Sequence, residues 1–332
     1  MLRFALALIL TGGCVDVGAA AERPEWAFFV PLPGPSAATS VRAASPAAST
    51  SRWSAPGSSQ SYANAELQDP LNPPDWFPQE HPAMPDVVAH GTQPKGRPPI
   101  LPCALCHLPN GAGHVESAEL AGLSANYIVH QFEDIRGGTR QITVGAAYHM
   151  AFITTLKNSF SNEQVLAAAR YFSSLKPREW IRVVEASAVP KSYVSPDTLM
   201  RLPLPGGGIE PLGSRIVELP ESALGLVNRD AHSGYVAYVP KGSLAAGEAL
   251  VTKGGPGKTL ACASCHGPKL AGLGDVPPLA ARPPSYLARQ LWAFQSGARA
   301  GALSAAMKPV VANLSDQDML DIAAYLASRP PR

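Results

Sequence analysis

Residues 103–107 read CALCH and residues 262–266 read CASCH. Each pentapeptide sets two thiols three positions apart and follows the second with a histidine. Three chemistries use such a pair: a structural zinc site, a redox-active disulfide, and covalent attachment of a porphyrin. Structural zinc sites bring two cysteine pairs together over a gap of roughly 12–20 residues. Here the pairs start 159 residues apart (262 less 103), so each works alone. A dithiol of the thioredoxin kind sits at a helix start beside a βαβ pattern and gives the histidine no task.

Haem attachment uses every position. Residues i and i+3 share one helical face, so both sulfurs reach the vinyl groups along one side of a porphyrin. The next residue then sets its imidazole under the iron. Of the five cysteines, Cys14 lies in an apolar N-terminal stretch and the other four fill the two motifs, leaving no thiol to spare. The expectation is two covalently bound haem c groups, one on Cys103 and Cys106 with His107 on iron, the other on Cys262 and Cys265 with His266 on iron.

The 332-residue chain has room for two or three modules. With 27 Lys and Arg against 25 Asp and Glu, a net charge of +2 and no basic stripe, nucleic acid is excluded as a partner. The N-terminus has one early cation, Arg3, an apolar run Phe4–Leu10, and Ala19, Ala20 and Ala21 at a cleavage position. It reads as an export signal cleaved near Ala21, which predicts a periplasmic protein. Asp16 interrupts the run far short of the ~20 apolar residues a membrane span needs. The stretch LTGGC offers a second outcome, lipid anchoring through Cys14, but Leu10 stands four positions ahead of the cysteine instead of three.

Sliding the sequence along itself by 159 positions aligns 103–140 with 262–299 without gaps. Identical pairs include Pro109 and Pro268, Tyr127 and Tyr286, Gln131 and Gln290, Gly138 and Gly297, and Arg140 and Arg299. Ile128, Phe132 and Ile135 recur as Leu287, Leu291 and Phe294, which marks a helix with one buried face in each copy. Gly138 and Gly297 mark where it stops. A closing helix follows in each copy, opened by Ser161 with Gln164 and by Ser315 with Asp318 as capping arrangements. One module is used twice, and a large apolar porphyrin supplies core that about 90 residues otherwise lack.

The ligand on the far side of the iron decides whether such a site binds small molecules or passes electrons. In the second module Met307 stands 41 residues after His266 and eight before Ser315, while Met319 falls inside the closing helix, where a thioether is ordinary core. In the first, Met150 stands 43 residues after His107, with His149 beside it as the alternative ligand. His81, His90, His114, His130 and His232 have no partner cluster and read as solvated or satisfied side chains.

With the two motifs, the run from Pro277 to Arg299 and the paired closing helices in view, the chain resembles the bacterial dihaem class I cytochromes c of the c-four type. The likeness covers about residues 84–176 and 242–330. It implies a mostly α protein with two tandem class I cytochrome c modules, His107 and Met150 on one iron, His266 and Met307 on the other, and Arg140 and Arg299 near haem propionates. That group places a proline carbonyl on the proximal imidazole. Pro277 fits, whereas the first module has Ala118, which leaves room for a different loop but still offers a backbone carbonyl. The resemblance also implies an electron carrier and not an enzyme, with redox proteins as partners: a periplasmic or membrane dehydrogenase as donor and an oxidase or other cytochrome as acceptor. A permanent subunit of a dehydrogenase complex and a peroxidase-like protein with one open iron are the alternatives.

Two pieces are foreign to that group. Residues 22–83 read as a Pro/Ser/Ala-rich linker, a disordered N-terminal tether. Residues 177–241 carry the strand-like runs IRVVEA, RIVEL and GYVAYV and read as a small β-containing segment between modules, either a docking surface or a spacer. The division is then 1–21 signal, 22–83 tether, 84–176 first module, 177–241 β segment and 242–330 second module.

Overall fold

The computed structural model describes residues 23–30, 52–143, 155–196 and 199–331. The export signal and the segment holding His149 and Met150 lie outside the described residues. No described helix is long and apolar enough to cross a membrane.

Helices α1 Asn64–Leu67 and α2 Asp86–Ala89 precede the first motif helix, α3 Ala104–His107. Then come α4 Ala125–Gly137 and α5 Asn162–Ser174. The strands β1 Ile181–Ala186, β2 Ala188–Pro190, β3 Ser192–Val194, β4 Arg201–Pro203, β5 Ile209–Pro211, β6 Val217–Pro220 and β7 Tyr235–Pro240 follow, with α6 Ala223–Val227 between the last two. The second module is α7 Ser243–Lys253, α8 Ala263–His266, α9 Pro284–Ser296, α10 Lys308–Val311 and α11 Asp316–Ala327.

Local chemistry explains the helix ends. Ser161 and Ser315 accept from the amides of Gln164 and Asp318, whose side chains return the bond, as the capping pattern requires. Helices α4 and α9 both stop at a glycine with φ of +79°, Gly138 and Gly297, a conformation that a side chain at that point would strain.

The closing helix α11 is buried over most of its length, and it crosses α7 at Gly247, where an added Cβ would lie 2.0 Å from the Asp321 carbonyl oxygen. Met319 is fully buried in this crossing.

The three strand-like runs form one sheet in the order β1-β7-β6. β1 pairs parallel to β7, with Ile181 opposite Tyr235, although the two strands are separated by the whole insertion. β2 with β5 and β3 with β4 make two small antiparallel ladders. The segment is not a free-standing spacer. Tyr235, Ala237 and Val239 share a continuous hydrophobic core with Leu250, Val251, Leu320 and Ala324 of the second module, while the first module closes a smaller core around Val88, Ala168 and Phe172.

The tether expected over 22–83 is corrected at both ends. Ala27, Phe28 and Phe29 are buried against α9, with Phe28 edge-on to Trp292 at 5.2 Å and the Ala27 carbonyl accepting from Arg289. Residues 52–83 also pack: Trp76 is 1% exposed between Trp53 and Tyr62, and its indole donates to the Asn228 carbonyl. Aromatic side chains in an otherwise Ser, Ala and Pro background supply the apolar area that anchors both pieces. Residues 31–51 lie outside the described residues.

Candidate haem sites

Each motif forms a single helical turn, so the two sulfurs and the imidazole leave the chain on adjacent positions of one face. The His107 Nδ1 lies 2.8 Å from the Ala118 carbonyl oxygen, and the His266 Nδ1 lies 2.8 Å from that of Pro277. Ala118 thus offers the backbone carbonyl that Pro277 offers in the second module: a carbonyl accepts equally well whichever residue carries it. With Nδ1 donating, Nε2 is the lone-pair nitrogen free to bind iron. Burial pulls both imidazoles below their ordinary pKa, against the carbonyl bond, which favours the neutral form that a metal ligand needs. Burial also pushes Cys103 up to about 12 and Cys262 up to about 11. Such thiols carry negligible thiolate at neutral pH, which does not suit redox exchange. Among the described residues no three His, Cys, Asp or Glu side chains converge as a metal cluster would require.

A cavity of 470 Å³ opens beside the first motif, lined by Cys103, Cys106 and His107 together with Ile128, Phe132 and Phe172. Its apolar lining fits a porphyrin face. The predicted buried stripe of α4 is the wall of this cavity.

Arg140 and Arg299 come together where the modules meet. Their backbones form an antiparallel bridge, flanked by Gln141 N–H to Ala298 O and Ala300 N–H to Thr139 O, both 2.7 Å. Arg140 donates to Gln131 of its own module at 2.8 Å and to Tyr286 and Gln290 of the other at 3.3 and 3.1 Å. Arg299 mirrors it, donating to Gln290 at 3.0 Å, Tyr127 at 2.8 Å and Gln131 at 2.6 Å. Among the described residues these side-chain partners are all neutral, so two guanidiniums share a site without a hydrogen-bonded carboxylate there. Burial and the neighbouring Arg140 charge lower Arg299. Buried charge without a counter-ion is costly, and the Arg299 Nε and Trp292 Nε1 are buried donors with no protein partner among the described residues. The residues fit a group that brings carboxylates: haem propionates would supply the missing negative charge and acceptors.

The Tyr and Gln members of this cluster carry no chemistry by residue type alone. Their signal was identity in both copies of the repeat, while their pairing across modules is a property of the assembled fold. Met307 ends a 3-10 turn, Ala302–Met307, and packs partly buried on the second-module core. His81 and His232 pair with Asp75 and Glu80, as satisfied side chains should. His114 departs from that expectation: it is 4% exposed, with Nε2 unpartnered and Nδ1 3.4 Å from Glu116.

The cytochrome c family model matches residues 244–330. The thiosulfate dehydrogenase electron acceptor of Thiomonas intermedia is 25% identical over 238 residues, covering 70% of this chain and 81% of that protein. Cytochrome c4 of Azotobacter vinelandii is 24% identical over 245 residues, covering 72% of this chain and 89% of its own length. Cytochrome c-554(547) of Halothiobacillus neapolitanus is 42% identical over 83 residues, 22% of this chain and 91% of that protein. Paired motifs, duplicated imidazole geometry and these likenesses converge: the chain is similar to the dihaem cytochromes of the c-four type and belongs to the cytochrome c family, with two covalently bound haem c groups.

Proposed function

We propose that this chain is an exported, periplasmic electron carrier that takes electrons from a dehydrogenase and delivers them to a terminal acceptor, without making or breaking covalent bonds in a substrate. The observation that carries this reading is the duplicated proximal geometry, with each imidazole held by a carbonyl at 2.8 Å behind a pair of thiols. The haem irons supply one-electron chemistry when bound. Cys103, Cys106, Cys262 and Cys265 hold the porphyrins, His107 and His266 are the proximal ligands, and Met150 and Met307 are the distal ones. Arg140 and Arg299 neutralise propionates.

Methionine ligation raises the reduction potential relative to a second histidine, which suits a carrier placed after a dehydrogenase. The likeness to a thiosulfate dehydrogenase electron acceptor supports a donor of that class. The modules proposed are residues 84–176 and 242–330.

A redox titration followed by absorbance, with Met150→Ala and Met307→Ala in parallel, tests the reading. Two haems that resist acid-acetone extraction, each low-spin in the ferric state and each converted by one substitution, are expected. A high-spin ferric haem in the unsubstituted protein would contradict it.

A further inference from the structure

The internal repeat allows the two motif faces to be compared position by position, and they differ in one respect. In the first module Ala104, Leu105, His114 and Val115 are 0, 8, 4 and 0% exposed. Their equivalents Ala263, Ser264, Leu273 and Gly274 are all exposed, Leu273 at 63%.

The chain's own inserted segment makes the difference. Arg229 Nε donates to the Leu105 carbonyl inside the first pentapeptide at 3.3 Å, and Asn110 Nδ2 donates to Ala231 O at 2.9 Å. Leu199 reaches the cavity wall beside Cys106, and Val115 packs in one core with Met200, Leu202 and Tyr235. Residues 52–83 brace this cover through Trp76 on Asn228 and Phe77 stacked on His232 at 3.5 Å. The surface of the first motif at Leu105 and Val115 is thus covered by residues 199–233.

Nothing described covers the second face. Leu273, Val276 and Leu303 stand there 63, 36 and 59% exposed. Lys269 is exposed on the same loop. The Thr259 hydroxyl donates to Val310 O at 2.7 Å and Cys262 N–H to Val251 O at 2.9 Å, which brings the α10 and α7 segments carrying Lys308 and Lys253 beside the motif. None of these three lysines has an ion-pair partner among the described residues; of the acidic groups nearby, Asp318 is ion-paired with Lys258, while Asp275 accepts from the neutral Ser124 hydroxyl and keeps its charge, so three cations face one free carboxylate.

We propose that the face formed by residues 262–277 with Leu303 and Lys308 is the docking surface for a redox protein whose own centre lies at an apolar edge ringed by carboxylates, and that residues 199–233 close the matching face of the first module to any such partner. The aliphatic side chains supply a dry centre and the unpaired lysines supply steering and orientation. Donor and acceptor would then use this one face in turn. The inference rests on the electron-carrier reading.

The test titrates the ferric holoprotein with oxidised flavodoxin, an acidic protein with an exposed flavin edge, and follows amide shifts. Shifts are expected at 260–276 and 302–308, with the dissociation constant rising as salt is added. Leu273→Asp is expected to weaken binding at least tenfold, and Ile209→Asp, an exposed change on the inserted segment, less than twofold. Shifts centred on 199–233, equal losses in the two variants, or no binding at low ionic strength would overturn the proposal. Dithionite reduction of both haems in each variant checks folding and the carrier reading separately, so failure of the docking surface alone is recognisable.

Discussion

Replacing Gly247 by alanine sets two effects of opposite sign against each other. Gly247 sits within α7 at a φ that any residue can adopt, so alanine gains about 1 kcal/mol of helix propensity. Against this, the new Cβ would lie 2.0 Å from the Asp321 oxygen, 2.6 Å from its carbonyl carbon and 2.7 Å from the Tyr325 Cβ. Carbon contacts settle at roughly 3.5–4.0 Å, so α7 and α11 must part by about 1 Å or more. The obstacle is helix backbone, which has no rotamer to move. Parting loosens Leu250, Val251, Leu320 and Ala324, which are 7, 1, 1 and 0% exposed. Overpacking of this kind costs roughly 1–3 kcal/mol, more when backbone must shift. The net expectation for Gly247→Ala is a loss of about 1–2 kcal/mol, with valine worse. Denaturant unfolding of the holoprotein, followed by far-UV circular dichroism and haem absorbance, reads it as a lower midpoint at unchanged slope. A raised midpoint would mean that propensity outweighs the clash and that the helices are not in contact through this glycine.

Arg299→Ala removes the partner of Tyr127, Gln131 and Gln290 at the module junction, and a loss of about 3 kcal/mol is expected from unfolding curves. A double-mutant cycle with Tyr127→Phe should show coupling of roughly 1 kcal/mol, and strict additivity would remove the cross-module bond from the account. Phe28→Ala should cost about 3–4 kcal/mol in the same measurement, because the ring is 1% exposed against Trp292; a change under about 1 kcal/mol would mean the N-terminal strap is not seated. Burial raises Glu218 to about 7, against the opposing effects of Ser285, Arg289 and Arg201. A carboxyl held above its unfolded pKa contributes stability below about pH 4.5 that is lost as pH rises through about 7. Glu218→Gln should therefore flatten part of the fall in stability over that window and stabilise the protein at pH 8; an unchanged pH profile would place the ionisation elsewhere.

Much of the site was legible because its chemistry is local. The two pentapeptides, the glycine stops at 138 and 297 and the serine caps at 161 and 315 each depend on contacts within about one helical turn, which sequence spacing reports directly. The strand-like runs were legible for the same reason. What escaped were partners far apart in the chain. The parallel pairing of β1 with β7, Trp76 on Asn228, and Arg229 over Leu105 join residues with no periodic relation. Composition misled at residues 23–30 and 52–83, where a few aromatic side chains outweigh their polar surroundings once a surface exists to receive them.

The sequence by itself determined that one haem-binding motif is used twice and which residues recur at the junction of the copies, since a duplicated motif carries its own alignment. Only the tertiary structure decided that the copies are not equivalent. Burial of Leu105, His114 and Val115 and exposure of their equivalents Ser264, Leu273 and Gly274 follow from where the inserted segment packs, and that is set by hydrophobic area shared between distant stretches of chain.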